Sequence, residues 1–499
     1  MHAYHAISAA AGLIVPEVIL LLTMCLMFVA APFLASGNGQ PVAGLKQRWG
    51  ILALLALGAA AFAWVQAPRD ISGLGPFRSD ELVWFIRGIT LLAGGLLTLL
   101  LWDQVEEAHS GESFACLLAI LAGVNFVALA NDLVGIFLGL ELVSIPTYVL
   151  LHLGGQARAN QEATIKYFLL SVFSSAILLF GLAWIFGLVG TTNLTVIAQQ
   201  IEQGTIQSEQ GLFRLALVLL IGGLCFRLAA VPFHFYAPDV FQGVNPSNAG
   251  MLSLIPKVVG FAALLKLLPV CAGTLSLHEW MPVGAVRYIL TIVAVLTMFL
   301  GNLLALRQTN LYRLLAYSSI AHAGYMLVGL IIGDAAAGTS GLAALLYYLS
   351  VYGVMTLGVF ALIASATSNQ RPLRNVSELA GLSQSQPVIA FLLAICIFGL
   401  AGLPPTGGFL AKLNLFLAAW SEGTREGAAL AIILAINAVI AAAYYLRLIA
   451  TMYFDPASIS DQPRPANPAT VAGVLCAAGT LLLFLVPQWL WAAASAALH

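Results

Sequence analysis

Charge is scarce in this 499-residue sequence: only 8% of the residues are Asp, Glu, Lys or Arg, whereas 61% are hydrophobic. A typical soluble protein carries roughly three times as much charge. The composition therefore excludes a soluble globular protein and predicts an all-α, polytopic membrane protein, because helices satisfy their own backbone hydrogen bonds in lipid. The net charge is −1 and like charges do not cluster, so nucleic acid is not an expected partner.

Cysteine clusters and soluble modules are also missing. The six cysteines stand singly in apolar stretches and never form a Cys-x-x-Cys pair, which excludes the usual zinc, iron–sulfur and disulfide patterns. No glycine-rich dinucleotide fingerprint follows a strand pattern, and the longest polar stretch, Thr191 to Gly211, is too short for a soluble domain. We therefore predict that this chain itself holds no cofactor and no metal.

What the sequence does contain is about fourteen apolar stretches long enough to cross a bilayer as helices. They fall near 10–34, 50–67, 83–101, 114–130, 133–153, 163–189, 212–231, 248–268, 286–306, 313–333, 341–366, 386–402 with 405–421, 427–454 and 468–491.

An even number of spans places both termini on one side of the membrane. With the termini outside, the inner loops hold more basic residues than the outer loops, as the positive-inside rule requires. The inner set is Lys46, Arg48, Arg158, Arg307, Arg313, Arg371, Arg374 and Arg464, and the outer set is Arg69, Arg78, Arg214, Arg287 and Arg425. We therefore expect both termini on the outer face.

An internal repeat is visible in two short sequence matches. Residues 170–173 (LSVF) match 349–352 (LSVY), and 226–232 (FRLAAVP) line up with 398–404 (FGLAGLP). Matching elements lie an odd number of spans apart, so the two halves should have inverted topology. Inverted repeats with a broken helix in each half are typical of transporters, with the site at the breaks.

These matches predict two inverted five-helix repeats, broken at Pro232 and at Pro404-Pro405. Helices 1–3 would occupy 1–113 and helices 4–8 the first repeat, 114–268. Helices 9–13 would form the second repeat, 286–454, and helix 14 would lie in 455–499.

Lysine is used unusually. The chain has five lysines, and only Lys46 is in a loop, whereas the other four lie in or at the ends of apolar spans: Lys166, Lys257, Lys266 and Lys412. A charge at the centre of a bilayer costs about 2.5–3.5 kcal/mol on insertion scales, which favours a functional reason for keeping it. Lysine suits proton transfer because burial readily changes its proton affinity.

Each buried charge has two interpretations. Glu141 is the one carboxylate placed clearly in mid-span, and it needs a partner, which a purely structural ion pair could also supply. Lys166 follows Glu162 by four residues, so a surface pair is the alternative to a proton-path role. For Lys257, which follows Pro256 in mid-span, the surface interpretation is disfavoured, and Lys266 is expected to extend to the membrane interface.

The remaining candidates lie beside the two breaks. Arg227 and His234 flank the first break, and Lys412 follows the helix break and restart in 403–411. His234 and His322 titrate near physiological pH and could relay protons, or they could be hydrogen-bonded core histidines.

At these residues the chain resembles the antiporter-like subunits of respiratory complex I and the Mrp-type cation/proton antiporters. The KYFLL motif and compact length are most similar to the antiporter-like subunit nearest the quinone-bearing end of the membrane arm. The matching segments are GLELVSIP (139–146), IKYFLLSVFSSA (165–176), RLAAVPFH (227–234), NLLALRQ (302–308), LLAYSSIAHAGY (314–325) and LAGLPPTGGFLAK (400–412).

The resemblance implies a central hydrated axis, with all its side chains facing the bundle interior at similar depth. The carried-over positions are Glu141, Lys166, Arg227, Lys257 and Lys412. The family usually has lysine where Arg227 stands. Because a guanidinium stays protonated, this departure from the family favours Arg227 as a fixed countercharge to Glu141 over a residue that cycles its proton.

The resemblance also implies a function: proton translocation across the bacterial inner membrane, coupled to quinone reduction elsewhere in a respiratory complex. FMN, iron–sulfur clusters and quinone would then be bound by partner subunits. The expected partners are other membrane subunits, including neighbouring antiporter-like ones, together with lipids and protons. An Mrp-type Na⁺/H⁺ antiporter subunit is the first alternative. A structural membrane spacer is the second, although it would leave the buried lysines without a function.

Overall fold

The structure is a computed structural model that describes residues 2–34, 44–70, 75–155, 157–204, 210–278, 280–334, 339–368, 371–456 and 467–499. Arg464 of the predicted inner set lies outside these ranges. The helices are α1 His2–Ala30, α2 Leu45–Gln66, α3 Glu81–Gln104, α4 Ser110–Leu129, α5 Leu133–Leu153, α6 Arg158–Val189, α7 Leu194–Glu202, α8 Gln210–Leu228, α9 Ala237–Gly243, α10 Pro246–Cys271, α11 Gly284–Leu306, α12 Leu311–Ile332, α13 Gly341–Ser365, α14 Leu382–Ser385, α15 Pro387–Ala401, α16 Gly407–Ser421, α17 Arg425–Phe454, α18 Pro468–Leu485 and α19 Pro487–Ala496. Three short 3₁₀ helices (Ala31–Leu34, Glu107–His109, Val376–Leu379) and a minimal antiparallel pair, β1 Thr367–Ser368 and β2 Arg371–Pro372, complete the described elements.

The prediction of an all-α, polytopic membrane protein is confirmed. Within the described ranges, thirteen helices are long and apolar enough to cross a membrane. A fourteenth crossing is divided between the shorter helices α15 and α16. The predicted last span, 468–491, was wrong in one respect: Pro487 starts a second helix there, so α18 and α19 replace one continuous helix.

Capping side chains set the starts of many helices. An Asp, Asn, Ser or Thr at the N-cap accepts a hydrogen bond from a free backbone N–H in the first turn. These caps are Asp80 of α3, Asp132 of α5, Asn193 of α7, Asn245 of α10, Asn310 of α12, Ser340 of α13, Thr424 of α17 and Asn467 of α18.

The bundle has an inner group and an outer ring of helices. Helices α4, α10, α12 and α13 are buried on nearly every side, whereas α1, α2, α5, α6, α11, α17 and α18 leave apolar faces exposed. A helix that is apolar all round belongs in the interior. The inner group therefore provides a site for polar side chains that lipid cannot reach.

The two ends of the bundle are distinct. The connections after α4, α6, α10 and α12 share one end with the C-terminus, where the ring of His278 lies 4.7 Å from that of His499. We call this the terminal end. The connections after α5, α9, α11 and α13 lie at the opposite end, where Asn310 forms a β-bridge with Asn375.

The first predicted break is present at the end of α8. Ala229 adopts a left-handed conformation with φ 53°. Its N–H bonds to the carbonyl of Phe226, and the N–H of Ala230 bonds to that of Cys225. This is a Schellman motif, which satisfies carbonyl groups left free by the helix end.

The second break, at the end of α15, has the same cap. Gly402 is left-handed with φ 82°. Its N–H reaches the carbonyls of Gly399 and Phe398, and the N–H of Leu403 also bonds to Phe398. The equivalent caps pair Ala229 with Gly402, which aligns Pro232 with Pro405. The sequence match had aligned Pro232 with Pro404, so its register was wrong by one residue.

A buried ion pair, absent from the sequence predictions, joins α1 to α3. Arg87 donates from Nε to Glu17 Oε1 (3.0 Å) and from Nη2 to Glu17 Oε2 (2.9 Å) and to the Leu13 carbonyl (2.9 Å). Arg87 and Glu17 are 1% and 4% exposed. Glu141 is therefore not the only carboxylate within a span.

We expect Arg87→Leu alone to lower the free energy of unfolding by about 3–5 kcal/mol, because Glu17 would stay buried without a countercharge. The double change Glu17→Gln with Arg87→Leu removes both charges and should recover most of that loss. Each variant is heated in the same mild detergent, and size-exclusion chromatography measures the fraction that stays folded at each temperature. Arg425→Leu, at an exposed arginine, is the control. A double variant no more stable than Arg87→Leu would show that the two side chains are not coupled.

Candidate functional site

A carboxylate and a guanidinium meet where α5, α6 and α8 pack together. Arg227, in the last turn of α8, places Nη2 3.4 Å from Glu141 Oε1 and donates from Nη1 to Ser144 Oγ at 2.6 Å. Ser175 donates to the same Glu141 oxygen at 2.6 Å. The Arg227 side chain is 3% exposed and that of Glu141 is 23% exposed. The two residues that the resemblance pairs are therefore neighbours.

The next cation, Lys257, lies on the inner helix α10, which packs against α8. A Cβ added to Gly260 would lie 3.3 Å from the Cβ of Arg227, so α8 packs against α10 one turn from Lys257. Lys257 is 2% exposed. Its Nζ donates to the Ser253 carbonyl at 3.1 Å and to Ser319 Oγ at 2.5 Å.

His322 lies one helical turn from Ser319 on α12, and tyrosine hydroxyls surround it. Its Nδ1 is 2.7 Å from the Tyr348 hydroxyl, and its Nε2 is 3.1 Å from the Tyr445 hydroxyl. Tyr352 donates to Ser319 at 2.9 Å, and its ring centroid lies 4.9 Å from that of His322. His322 is 1% exposed. Neutral imidazole has one donor and one acceptor nitrogen, so both hydroxyl contacts can be hydrogen bonds.

Lys412 ends this series at the second helix break. Its Nζ donates to the carbonyls of Leu400 (2.9 Å) and Ala401 (2.8 Å), the last residues of α15. A helix C-terminus carries partial negative charge, so an ammonium is favourable there. Its Nζ also lies 5.3 Å from the centroid of the Tyr325 ring. A Cβ at Gly402 would lie 2.7 Å from Lys412 Cδ, so only glycine leaves room for this contact.

Lys257 and Lys412 share an unusual environment. In the described part of the chain, neither ammonium has a carboxylate oxygen within 4 Å, and both are nearly inaccessible. Lys257 uses a carbonyl and a hydroxyl oxygen as acceptors, and Lys412 uses two carbonyl oxygens, all of them neutral. Buried charges without countercharges are rare in membrane interiors and mark functional positions. We call the series Glu141, Arg227, Lys257, His322 and Lys412 the buried polar row.

Lys166 is not in the row, so the prediction that all five residues share one depth was wrong. Its side chain is 41% exposed and pairs with Glu162 (2.7 Å) and Asp239 (3.0 Å). Ser175, which binds Glu141, is nine residues further along α6, about 13 Å along the helix axis. Glu162 is one turn before Lys166 on the same helix face, so the alternative surface pair is present.

Lys166 opens instead onto a polar cavity of about 360 Å³ at the opposite end of the bundle. Asp239, on its wall, also accepts from Arg313 Nη1 at 2.5 Å. One carboxylate therefore joins α6 of the first predicted repeat to α12 of the second.

His234 also lies apart from the row. It occupies the turn between α8 and α9, is partly buried, and has an Nδ1 without a hydrogen-bond partner in the described residues. Lys266 was expected to extend to the interface. It instead donates to the Ala128 carbonyl near the C-terminal end of α4.

Sequence reasoning missed the hydroxyl groups that surround Lys257 and His322: Ser319, Tyr348, Tyr352 and Tyr445. A usable signal was present, because tyrosine and serine recur inside otherwise apolar spans at 347–352 and 444–445. Among the described residues, no group of three His, Cys, Asp or Glu side chains could hold a metal ion.

Comparison with known proteins yields close relatives along the whole chain. The family model described as NADH:quinone oxidoreductase/Mrp antiporter, TM, matches residues 130–440. NADH-quinone oxidoreductase subunit N of Trichlorobacter lovleyi is 39% identical, over 96% of this chain and 94% of the relative. The protein of the same name from Geobacillus kaustophilus is 38% identical over 88% of each chain.

Solved structures share the fold. A chain of respiratory complex I from Thermus thermophilus is 27% identical with a TM-score of 0.78, covering 96% of this chain and 99% of that one. A chain of the Mrp complex from Dietzia sp. has the same TM-score at 20% identity, covering 97% of both chains, and shows the fold alone. On the family match and these relatives, the chain belongs to the NADH:quinone oxidoreductase/Mrp antiporter family of membrane subunits.

Proposed function

We propose that this chain is a proton-translocating membrane subunit of a respiratory NADH:quinone oxidoreductase in the bacterial inner membrane. The observation that carries the proposal is the buried polar row, which runs from α5 to α16 through the enclosed centre of the bundle. Glu141, Arg227, Lys257 and His322 each contact a hydroxyl group, which can both donate and accept a proton. The names of the relatives support the assignment to this complex.

Proton movement would use the centre of the row. A proton leaving Lys257 would pass to Ser319, which also binds the Tyr352 hydroxyl. His322 can receive a proton at one ring nitrogen and release one at the other, and each nitrogen faces a tyrosine hydroxyl. In the described residues, no hydrogen bond joins His322 to Ser319, Tyr352 or Lys412, so water would have to complete the path on both sides of His322.

Arg227 would act as a fixed charge rather than a proton carrier. Its guanidinium keeps its proton, and Glu141 neutralises it while the two are paired. If the pair opens, the unpaired positive charge would disfavour a second positive charge on nearby Lys257 through Coulomb repulsion. The state of the pair and the protonation of Lys257 would therefore influence each other reciprocally.

The cavity beside Lys166 would connect this apparatus to water. It lies at the bundle end that holds Arg313 and Arg374, which the positive-inside rule places on the cytoplasmic side. Both termini would then be periplasmic. FMN, iron–sulfur clusters and quinone would be bound by partner subunits, and neighbouring membrane subunits would contact the exposed helix faces.

An Mrp-type Na⁺/H⁺ antiporter subunit is the second candidate, favoured by the shared family model. Antiport would appear as sodium-dependent proton movement in vesicles without electron donor. Pumping that requires quinone reduction and does not respond to sodium would support the first proposal.

Exchange of Lys412 tests the row at its end. Lys412→Met replaces a buried ammonium with an apolar side chain of similar size that cannot carry a proton or donate to the carbonyls of Leu400 and Ala401. It should reduce proton pumping, measured per assembled complex, by about tenfold or more. Lys412→Arg keeps the charge but cannot release a proton, so it should also impair pumping. Pumping is measured with a pH-sensitive dye in proteoliposomes, beside quinone reduction. Lys46→Met is the matched control, and normal pumping by both Lys412 variants would remove this residue from the path.

The Glu141–Arg227 pair is tested by a double-mutant comparison. Arg227→Lys keeps the countercharge and should retain much of the activity. Arg227→Ala leaves the carboxylate alone, a change that typically costs about 3–5 kcal/mol, so assembly should fall. Adding Glu141→Gln removes the lone charge and should restore assembly but not pumping. The readout is the amount of intact complex in the membrane. A double variant that assembles no better than Arg227→Ala would contradict the pairing.

A further inference from the structure

A second cavity, of about 450 Å³, lies at the terminal end of the bundle and is separate from the buried polar row. It is formed where α7 and α10 end and where α8 and α11 begin. Most of its lining is apolar, including Phe213, Leu217, Leu268, Met281 and Val286. The cavity is therefore suited to the apolar part of a ligand.

Three residues that line this cavity have a polar side-chain group with no ion-pair or hydrogen-bond partner in the described part of the chain. Arg214 and Glu202 carry opposite charges and are both exposed. Across the described residues, neither charge forms an ion pair. Trp280 is only 5% exposed, and its buried indole Nε1–H has no acceptor among the residues that the structure describes. A buried indole N–H usually has a partner. The Trp280 Nε1 is nearly inaccessible, so a ligand in the cavity would reach it once the indole ring turns towards the cavity.

The position of the cavity indicates what kind of ligand reaches it. It lies where spanning helices begin and end, at the level of the lipid headgroups. Further into the membrane, α8 exposes Leu215 and Val218, and α11 exposes Ile292 and Leu296. An amphiphile with its headgroup in the cavity would thus find apolar helix surfaces for its chains.

We propose that this cavity binds the headgroup of a zwitterionic phospholipid of the phosphatidylethanolamine type. Arg214 would bind the phosphate, and Glu202 would bind the ammonium group. The Trp280 N–H would donate to a phosphate or ester oxygen, which supplies its missing acceptor. A ligand of a single charge sign would leave one of the two exposed charges without a partner, whereas this headgroup matches both.

The test uses the chain within its native membrane assembly, extracted in mild detergent, stripped of lipid and titrated with dioleoyl phosphatidylethanolamine. Bound lipid is counted by native mass spectrometry. Arg214→Gln should weaken binding about tenfold, because a charge-assisted hydrogen bond is lost. Trp280→Phe keeps the ring but removes the donor, and should weaken binding about threefold or more. Arg425→Gln and the exposed-site change Trp489→Phe are matched controls that should bind like the unaltered chain.

Two further binding measurements identify which part of the lipid is recognised. Glu202→Gln should weaken phosphatidylethanolamine but not phosphatidylglycerol, which has no ammonium group for Glu202 to bind. Inorganic phosphate at millimolar concentration should not displace the bound lipid, because it gains nothing from the apolar wall. Displacement by phosphate, or equal binding of phosphatidylethanolamine by the three site variants and the two controls, would overturn the proposal. Proton pumping is not the readout, so failure of the lipid site is distinguishable from failure of the proposed function.

Discussion

The structure depends on one constraint: a helix broken inside a membrane must satisfy the backbone groups that the break frees. At the first break, Tyr236 donates to the Phe226 carbonyl and Thr297 accepts from the N–H of Val231. At the second, the Lys412 ammonium supplies the donors for Leu400 and Ala401. The same broken geometry thus uses neutral groups in one half and a charge in the other. A buried ammonium is consequently both a structural cap and a candidate proton carrier.

Buried cations in this protein fall into two groups according to their partners. Arg87 and Arg227 contact carboxylates, and a guanidinium cannot become neutral. Lys257 and Lys412 contact only neutral oxygens, which lets the site tolerate either protonation state. Arginine with a carboxylate fixes a charge, whereas lysine without one keeps a charge that can be given up. The division matches the roles proposed for the row.

The features that could be predicted from the sequence are those in which a proline or a charge interrupts an apolar run. The predictions failed where the result depended on how the helices pack together. Both helix breaks and the burial of Lys257 and Lys412 follow from proline and charge inside apolar runs. The depth of Lys166 does not follow from the sequence, because it depends on which residue of α6 meets Glu141. That residue is Ser175, nine positions after Lys166. The Glu17–Arg87 pair was missed because its partners are 70 residues apart. No local pattern connects them, although each interrupts an apolar stretch. The one-residue error in repeat register arose because two adjacent prolines make either alignment plausible.

The burial of α10 has a consequence for biogenesis. In the folded bundle, Pro246–Cys271 is enclosed by α3, α4, α8, α12 and α13, so Lys257 is shielded from lipid, whereas Lys266 is only partly buried. When this helix first enters the membrane, those neighbours have not yet all been made. Each lysine then faces an insertion cost of up to about 2.5–3.5 kcal/mol, which the surrounding leucine, valine and phenylalanine side chains must offset. Helices α12 and α13 are synthesised later, and their arrival would turn a marginally inserted segment into the centre of the protein.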